Sequence, residues 1–191
     1  MQRGAIPAAD LYTLRKGQLA WDPIRRALLP LREEIVKVKS RATARACRFL
    51  VSEDSRCSIY TDRPAECRVL TCWDVGGIEA FYERDRLTRG DLLSEIRELW
   101  ELIQTHERQC SVALLGKWAG KWHAGERRES AGRLAEIIRF DNRLRQTVVD
   151  GGVDANLLDF FFGCPLTEWF EDQFGIRISG SAAKGPFPGG R

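Results

Sequence analysis

Four cysteines lie close together in the N-terminal half of the chain: Cys47, Cys57, Cys67 and Cys72. The whole chain of 191 residues contains only six cysteines, so most of its thiols fall in one short segment. Thiols gathered in this way usually bind a metal ion, form a redox couple or build a disulfide framework. The choice among these three kinds of chemistry determines what function can be inferred.

The sequence indicates a reducing environment, in which disulfides are not expected. No apolar run approaches the ~18 to 20 residues that a membrane-spanning helix requires, so we expect no membrane partner. The first residues contain no apolar segment typical of a secretory signal, which predicts a cytoplasmic protein. Reducing conditions there disfavour stable disulfides, and free or metal-bound thiols are therefore expected.

The number of thiols fits a metal site. Four thiolates match a closed tetrahedral zinc site, and they equally match the ligands of an iron–sulfur cluster. The C-x2-C spacing of zinc ribbons is missing, so the spacing alone is a modest signal. The structural alternative is that the four thiols pack as small apolar side chains. We favour the metal because clustering of this kind is improbable by chance in a cysteine-poor chain.

Local sequence signals suggest how the thiols approach one another. The turn-forming residues 52–55, Ser-Glu-Asp-Ser, predict a hairpin that brings Cys47 near Cys57. Asp62 is expected to cap a short helix with Pro64 in its first turn. Cys67 then lies near the positive end of that helix, which is expected to lower the pKa of its thiol.

The same residues resemble a known family. The ordered motifs are Cys-x-Phe-Leu (47–50), Cys-Ser-Ile-Tyr (57–60), Arg-Pro (63–64), Cys-Arg (67–68) and Cys72. Together they resemble the YkgJ-type cysteine-cluster family, the CxxCxxCC zinc- or iron-chelating domain. The resemblance implies metal binding and no particular reaction. It covers residues 47–72, and residues 37–46 lack the upstream cysteines that the family pattern places there. We therefore expect at most one four-thiolate site from this motif.

Two further residues are weaker metal candidates. His106 and Cys110 are four residues apart on one face of a predicted helix, where an imidazole and a thiolate can share a metal ion. The alternative, which we prefer, is a histidine stabilised by the C-terminal end of the helix beside an ordinary thiol. Cys164 and His123 have no neighbouring ligands in the sequence, and we assign them no metal role.

The remaining sequence predicts a mainly α protein with an irregular, cysteine-rich metal-binding loop segment in its N-terminal third. A short helix is predicted at 8–17, a strand at 34–39, and helices from Asp91 onward, at 127–149, at 155–162 and at 167–174. We expect one domain over residues 1–178, with the cysteine segment at 47–72 and the helical part at 90–175. Residues 179–191 are rich in Gly, Pro and Ser, which predicts a flexible tail.

Charge and motifs leave three functions open. The first is a protein that binds zinc or iron, and the second is an iron–sulfur accessory of electron transfer. The third is a module that binds nucleic acid or an acidic protein through its basic N-terminal residues 1–46, or through the repeated Lys-Trp pairs of residues 117–122. Dispersed surface charge and core packing of the two tryptophans are the preferred interpretations of these features. No phosphate-binding loop or catalytic triad is visible, so we do not predict an enzyme.

Overall fold

The computed structural model describes residues 6–41, 46–70, 76–82, 84 and 86–177. Cys72 and the predicted tail at 179–191 lie outside the described residues. Most of what is described is helical, as the sequence predicts. No described helix has the length and apolar character that crossing a membrane requires.

The N-terminal part forms one long, bent β-hairpin. Strands β1 (Leu11–Leu14) and β4 (Ile35–Val38) pair antiparallel at its base, with Leu11 opposite Val38. Strands β2 (Leu19–Asp22) and β3 (Ala27–Pro30) pair antiparallel in its outer part.

A β-bulge separates the two halves of the hairpin, where Gly17 and Gln18 on one side lie opposite Leu31 on the other. The Gly17 amide donates to the Leu31 carbonyl over 2.8 Å, and the Leu31 amide donates to the Gln18 carbonyl over 3.0 Å. Gly17 has a φ of 83°, which glycine adopts at little cost and which bends the strand.

The prediction of a short helix at residues 8–17 is wrong. Only Ala8–Asp10 is helical, as a 3-10 turn, and the chain continues directly into β1. The aromatic and β-branched residues of β1 pair with the strand at 35–38, and this long-range pairing overrides the weak local helix signal. The strand predicted at 34–39 is confirmed by β4.

Eight α-helices follow among the described residues. In chain order they are α1 (Ala65–Val69), α2 (Gly76–Phe81), α3 (Arg89–Leu93), α4 (Arg97–Cys110), α5 (Val112–His123), α6 (Arg127–Asp150), α7 (Leu158–Phe162) and α8 (Leu166–Phe174). The helix predicted from Asp91 onward is divided into α3 and α4. Thr88 caps α3, and Asp91 completes the capping box three residues later. The predicted helices at 127–149, 155–162 and 167–174 are confirmed within a few residues.

Two apolar clusters hold the helices together. One contains Leu115, Leu134, Leu166 and Trp169 and joins α5, α6 and α8. The other joins α3, α4 and α7 around Ile103 and three consecutive phenylalanines, Phe160–Phe162. β1 and β4 contribute partly buried residues to this second cluster, so the base of the hairpin packs against the helices.

Two buried arginines, Arg15 and Arg89, connect the hairpin base to the helices, and a third, Arg145, joins α6 to the Phe162 and Gly163 carbonyls. Arg15 donates to the Cys110 carbonyl over 3.1 Å. Arg89 forms ion pairs with Glu34 and Glu107 and donates to the Phe161 carbonyl. Buried charges are stable only when they are paired in this way, so the contacts fix the orientation of the hairpin base.

Candidate metal centre

Cys47 and Cys57 occupy equivalent positions in two tight turns. The Leu50 amide donates to the Cys47 carbonyl over 3.1 Å, and the Tyr60 amide donates to the Cys57 carbonyl over 3.3 Å. Each cysteine therefore begins a four-residue turn that ends in an apolar or aromatic residue. The two Cys-x-x-apolar motifs of the sequence correspond to these turns.

The hairpin predicted across residues 52–55 is confirmed. The Val51 amide donates to the Arg56 carbonyl over 2.7 Å, and Leu50 forms a β-bridge with Cys57. Ser55 adopts a φ of 56° at the turn. Since Leu50 closes the turn that Cys47 begins, the hairpin brings the two cysteine turns side by side.

Cys67 lies on α1, which follows these turns. The helix begins at Ala65 after Pro64, and no side chain caps it. Asp62 instead ends a 3-10 turn, Tyr60–Asp62, so the prediction that Asp62 caps the helix is wrong. Pro64 itself occupies the N-cap position, with φ −51° and ψ 156°, so it precedes the first turn in which the sequence predicts it; its ring fixes φ there.

The thiol of Cys67 is less acidic than predicted. Desolvation by the atoms around it raises the pKa of Cys67, and the neighbouring Cys47, Glu66 and Cys57 raise it further, while Arg63 lowers it less. The prediction of a lowered pKa is therefore wrong, because a helix of five residues and one arginine do not outweigh desolvation and nearby negative charge. The result also places Cys47 and Cys57 within electrostatic reach of Cys67.

The arginines of the motif stabilise the loop itself. The Arg63 guanidinium lies 3.8 Å from the centre of the Tyr60 ring, and its Nη1 donates to the Tyr60 carbonyl. The Arg68 Nε donates to the Arg63 carbonyl over 3.0 Å. The Arg-Pro and Cys-Arg motifs therefore connect the second cysteine turn to α1.

Among the described residues, backbone and side-chain contacts attach the start of this segment to the end of the hairpin. Arg41, which follows β4, donates to the Leu50 carbonyl and to the Ser52 hydroxyl. Ser40 forms a β-bridge with Cys47, and the Arg48 amide donates to the Lys39 carbonyl over 3.3 Å. The Arg48 guanidinium also forms an ion pair with Asp10. None of the described residues between 46 and 70 is buried, so the segment lies outside both apolar clusters.

The thiols are neighbours without forming a closed site. Within the described ranges, no group of three or more His, Cys, Asp or Glu side chains is arranged to hold a metal ion. Cys47 and Cys67 are exposed, Cys57 is partly exposed, and all three are free thiols. Three soft ligands near one another are the donor set that zinc and iron prefer, but they must move closer together to share an ion.

His106 and Cys110 lie in the helical core, away from solvent. Both are fully buried. His106 Nε2 lies 2.8 Å from Asp141 Oδ1. Burial raises the pKa of Cys110 to about 12, so its thiol is protonated at neutral pH. The arrangement gives this pair a structural role, and the expected stabilisation of His106 by the helix end is replaced by its contact with Asp141.

The remaining sequence candidates also have structural roles. Trp118 and Trp122 pack against the apolar cluster of α5, α6 and α8, which confirms core packing as the preferred interpretation of the Lys-Trp repeat. Cys164 is buried, and its carbonyl accepts a hydrogen bond of 3.1 Å from Trp169. His123 is exposed and contacts the Phe174 carbonyl.

The sequence interpretation missed the buried charges around Asp141. This carboxylate is fully buried and accepts hydrogen bonds from Arg145 and from the Leu166 amide. The signal that was available is the spacing of Asp141 and Arg145, four residues apart in the middle of a predicted helix. Such pairs are usually exposed, so the spacing alone did not indicate burial.

A comparison with protein families gives a match that includes the cysteine segment. Residues 22–111 match the family model CxxCxxCC, described as a putative zinc- or iron-chelating domain. The resemblance noted from the cysteine motifs is confirmed. Neither curated proteins nor solved structures yielded a match to the chain.

The CxxCxxCC match is wider than the motif that first indicated it. It begins at Asp22 at the end of β2 and extends to Ser111, directly after α4. The match therefore includes β3, β4, the cysteine turns and α1 to α4, together with His106 and Cys110, whereas of β2 it includes only Asp22. The description of the family supports binding of zinc or iron in general terms.

Proposed function

We propose that the chain binds one zinc or iron ion through Cys47, Cys57, Cys67 and Cys72. The observation that carries the proposal is the pair of matching turns that hold Cys47 and Cys57 side by side, together with their electrostatic effect on Cys67. The CxxCxxCC match supports the same chemistry. Cys72, five residues after Cys67 in the sequence, is the natural fourth ligand.

Metal binding in this arrangement is coupled to deprotonation. The raised pKa of Cys67 means that its thiol carries a proton at neutral pH. A metal ion must displace that proton, since the thiolate is the ligand. Once the ion is bound, its charge removes the repulsion among the thiolates and draws the cysteine turns and α1 together.

The segment 46–70 is suited to such a change because none of its residues is buried and it lies outside both apolar clusters. Closing the site therefore need not disturb the two apolar clusters. We place the metal here rather than at His106 and Cys110, whose burial and contact with Asp141 favour a structural role.

The proposal is tested by measuring the metal content of anaerobically purified protein together with its absorption spectrum. We expect about one metal ion per chain and a loss of that ion in Cys57→Ser and Cys67→Ser. Changes to residues around a metal site typically cost about 10–100-fold in affinity, so the loss of a ligand should cost at least about 100-fold. Cys164→Ala is the matched control because this buried thiol lies outside the segment.

The same experiment separates the alternatives. A colourless zinc protein supports a structural or storage role for the site. Visible absorption that dithionite bleaches supports an iron–sulfur cluster and the accessory role in electron transfer. Cys110→Ala tests whether the buried pair contributes, and unchanged metal content in this variant is expected. Wild-type metal content in both serine variants would refute the proposed ligands.

A further inference from the structure

One face of the hairpin strands β2 and β3 is apolar and open to solvent. Leu19, Trp21 and Leu28 are exposed by 40%, 44% and 53%, and Pro30 is exposed as well. Trp21 lies opposite Leu28 and Leu19 lies opposite Pro30, so these four residues share one face, called here the apolar face. A sheet face that contacts only water is normally polar, so an apolar one indicates a surface that another segment covers.

The charged residues near these strands do not belong to the apolar face. Arg32 and Arg86 line a cavity of about 450 Å³ together with Ala20, Asp22 and Leu29, which lie on the opposite face of the strands. The four residues of the apolar face carry no charge. Its occupant is therefore selected by apolar contact and shape rather than by charge.

The end of α8 lies beside the apolar face. The Leu19 amide donates to the Gln173 side chain over 3.1 Å. A few residues later, Ile176 is buried in the apolar cluster of α5, α6 and α8. Arg177 follows, and it is exposed and forms an ion pair with Glu171. The described part of the chain therefore ends close to the strand on which the apolar face begins.

The residues that follow α8 are numerous enough to reach the apolar face. The path from Arg177 back to Gln173, across its side chain to Leu19 and along β2 to Trp21 spans at most about 30 Å. Phe187 is ten residues beyond Arg177. An extended chain of that length covers about 33–36 Å. Phe187 is therefore within reach of Trp21.

The composition of residues 178–191 suits docking on such a face. Phe187 is the one aromatic residue among them, and Pro186 and Pro188 flank it. Each proline fixes its own φ and restricts the preceding residue to extended conformations, so residues 185–188 lose little conformational entropy on binding. In the polyproline conformation four residues span ~12 Å, close to the ~13 Å of a four-residue strand. Aromatic surfaces recognise proline-containing segments for this reason.

Extension of the sheet by another strand is disfavoured on both sides. Pro186 and Pro188 lack the amide hydrogens that an added strand would donate, and Pro30 lacks one on the hairpin. The Leu19 amide is already bonded to Gln173. Contact is therefore expected through side chains on the face of the sheet.

We propose that residues 185–188 fold back onto the apolar face of the same chain, with Phe187 on Trp21 and Leu28 and the two prolines beside it. The small residues 179–183, Ser-Gly-Ser-Ala-Ala, connect α8 to this contact. The segment closes the apolar face to other partners until it is displaced. The contact involves none of the thiols, so it does not depend on the proposed metal site.

Photo-cross-linking of the full chain tests the contact directly. p-Benzoylphenylalanine replaces Phe187, and mass spectrometry identifies the tryptic peptides that are joined after irradiation. We expect cross-links to peptides 17–25 and 27–32, which contain Trp21 and Leu28, in protein that remains monomeric. Trp21→Ser should reduce their yield by about tenfold, as expected for truncation of a central aromatic contact. Ile96→Ser is the matched control, because Ile96 is similarly exposed but precedes α4.

Limited digestion with trypsin measures the contact without the cross-linker. Lys184 directly precedes the docked residues, so cleavage after it should be several-fold faster in Trp21→Ser and in Phe187→Ser than in the wild type. Ile96→Ser should match the wild type. Trp21→Ser should keep the wild-type circular dichroism spectrum, because Trp21 is exposed and supports no packing of the helices.

The proposal is overturned by the absence of cross-links to both peptides, or by equal rates of cleavage after Lys184 in Trp21→Ser and the wild type. Cross-linked dimers that contain peptide 17–25 would instead assign the apolar face to a second copy of the chain. Binding of the wild-type chain to phosphatidylcholine vesicles that requires Trp21 would assign it to a lipid surface.

Discussion

His106 Nε2 donates a hydrogen bond of 2.8 Å to the carboxylate of Asp141, and both side chains are completely buried. Burial alone would raise the pKa of Asp141, but the hydrogen bond from His106 and the charge of Arg145 lower it to about 2. The carboxylate is therefore ionised at neutral pH, and the histidine proton must lie on Nε2. This pair connects α4 to α6, and the Leu166 amide that it also contacts begins α8.

Asp141→Ala is expected to destabilise the fold strongly. It leaves the Arg145 guanidinium, His106 and the Leu166 amide without their shared acceptor. Removal of one partner of a buried ion pair typically costs about 3–5 kcal/mol. Urea unfolding measures the change, and Asp150→Ala, at the exposed end of the same helix, serves as the control. Similar losses in the two variants would show that the buried carboxylate is not essential.

Stability should also depend on pH through His106. Burial lowers the pKa of His106 below its ordinary value of 6.5, so the unfolded chain binds a proton more readily than the folded chain. The free energy of unfolding is then highest above about pH 6.5 and declines below it, by at most about 1.4 kcal/mol per pH unit. His106→Gln should remove this part of the slope. A retained slope in His106→Gln would assign the effect to another group.

Gly163 is expected to tolerate no side chain. Its φ is 71°, and a Cβ atom there would lie 3.0 Å from the Thr13 carbonyl oxygen and 3.1 Å from Arg15 Cδ. Gly125 also has a positive φ, 101°, but has open space around it. Gly125→Ala should cost about 1 kcal/mol from backbone strain alone, and Gly163→Ala should cost more. Thermal unfolding of the two variants isolates the effect of the close contact with β1.

The ion pair between Asp10 and Arg48 should affect metal binding more than folding. It attaches the first cysteine turn to the hairpin base beside the contacts of Arg41, and Arg48 is half exposed. Because Arg48 stays half in solvent, the pair should contribute no more than about 1 kcal/mol to stability, and Asp10→Ala should lower the melting temperature only slightly. We expect a measurable loss of zinc affinity, because the first cysteine turn is less well held.

The control for this variant is Asp54→Ala, which removes the exposed partner of Arg56 within the cysteine hairpin itself. Titration of apo protein with zinc against a competing chelator compares the two. An unchanged affinity in Asp10→Ala would show that the anchor to the hairpin base does not shape the site.

Patterns confined to neighbouring residues could be predicted from the sequence. The turn at 52–55 and the long helix ending before Gly151 depend on local turn and helix signals, and both are confirmed. The strand β1 and the pKa of Cys67 could not be predicted, because each depends on partners distant in the sequence or on desolvation. The same reason applies to Arg15 and Arg89, whose charges are buried only because helices far along the chain surround them.

The position of the cysteine turns outside both apolar clusters has a consequence for how the thiol set can change. Residues that support no packing can be gained or lost by substitution while the helices remain intact. The absence of cysteines from residues 37–46 is then a change that the helices tolerate. We expect related sequences with more or fewer cysteines in this segment to keep the same helices.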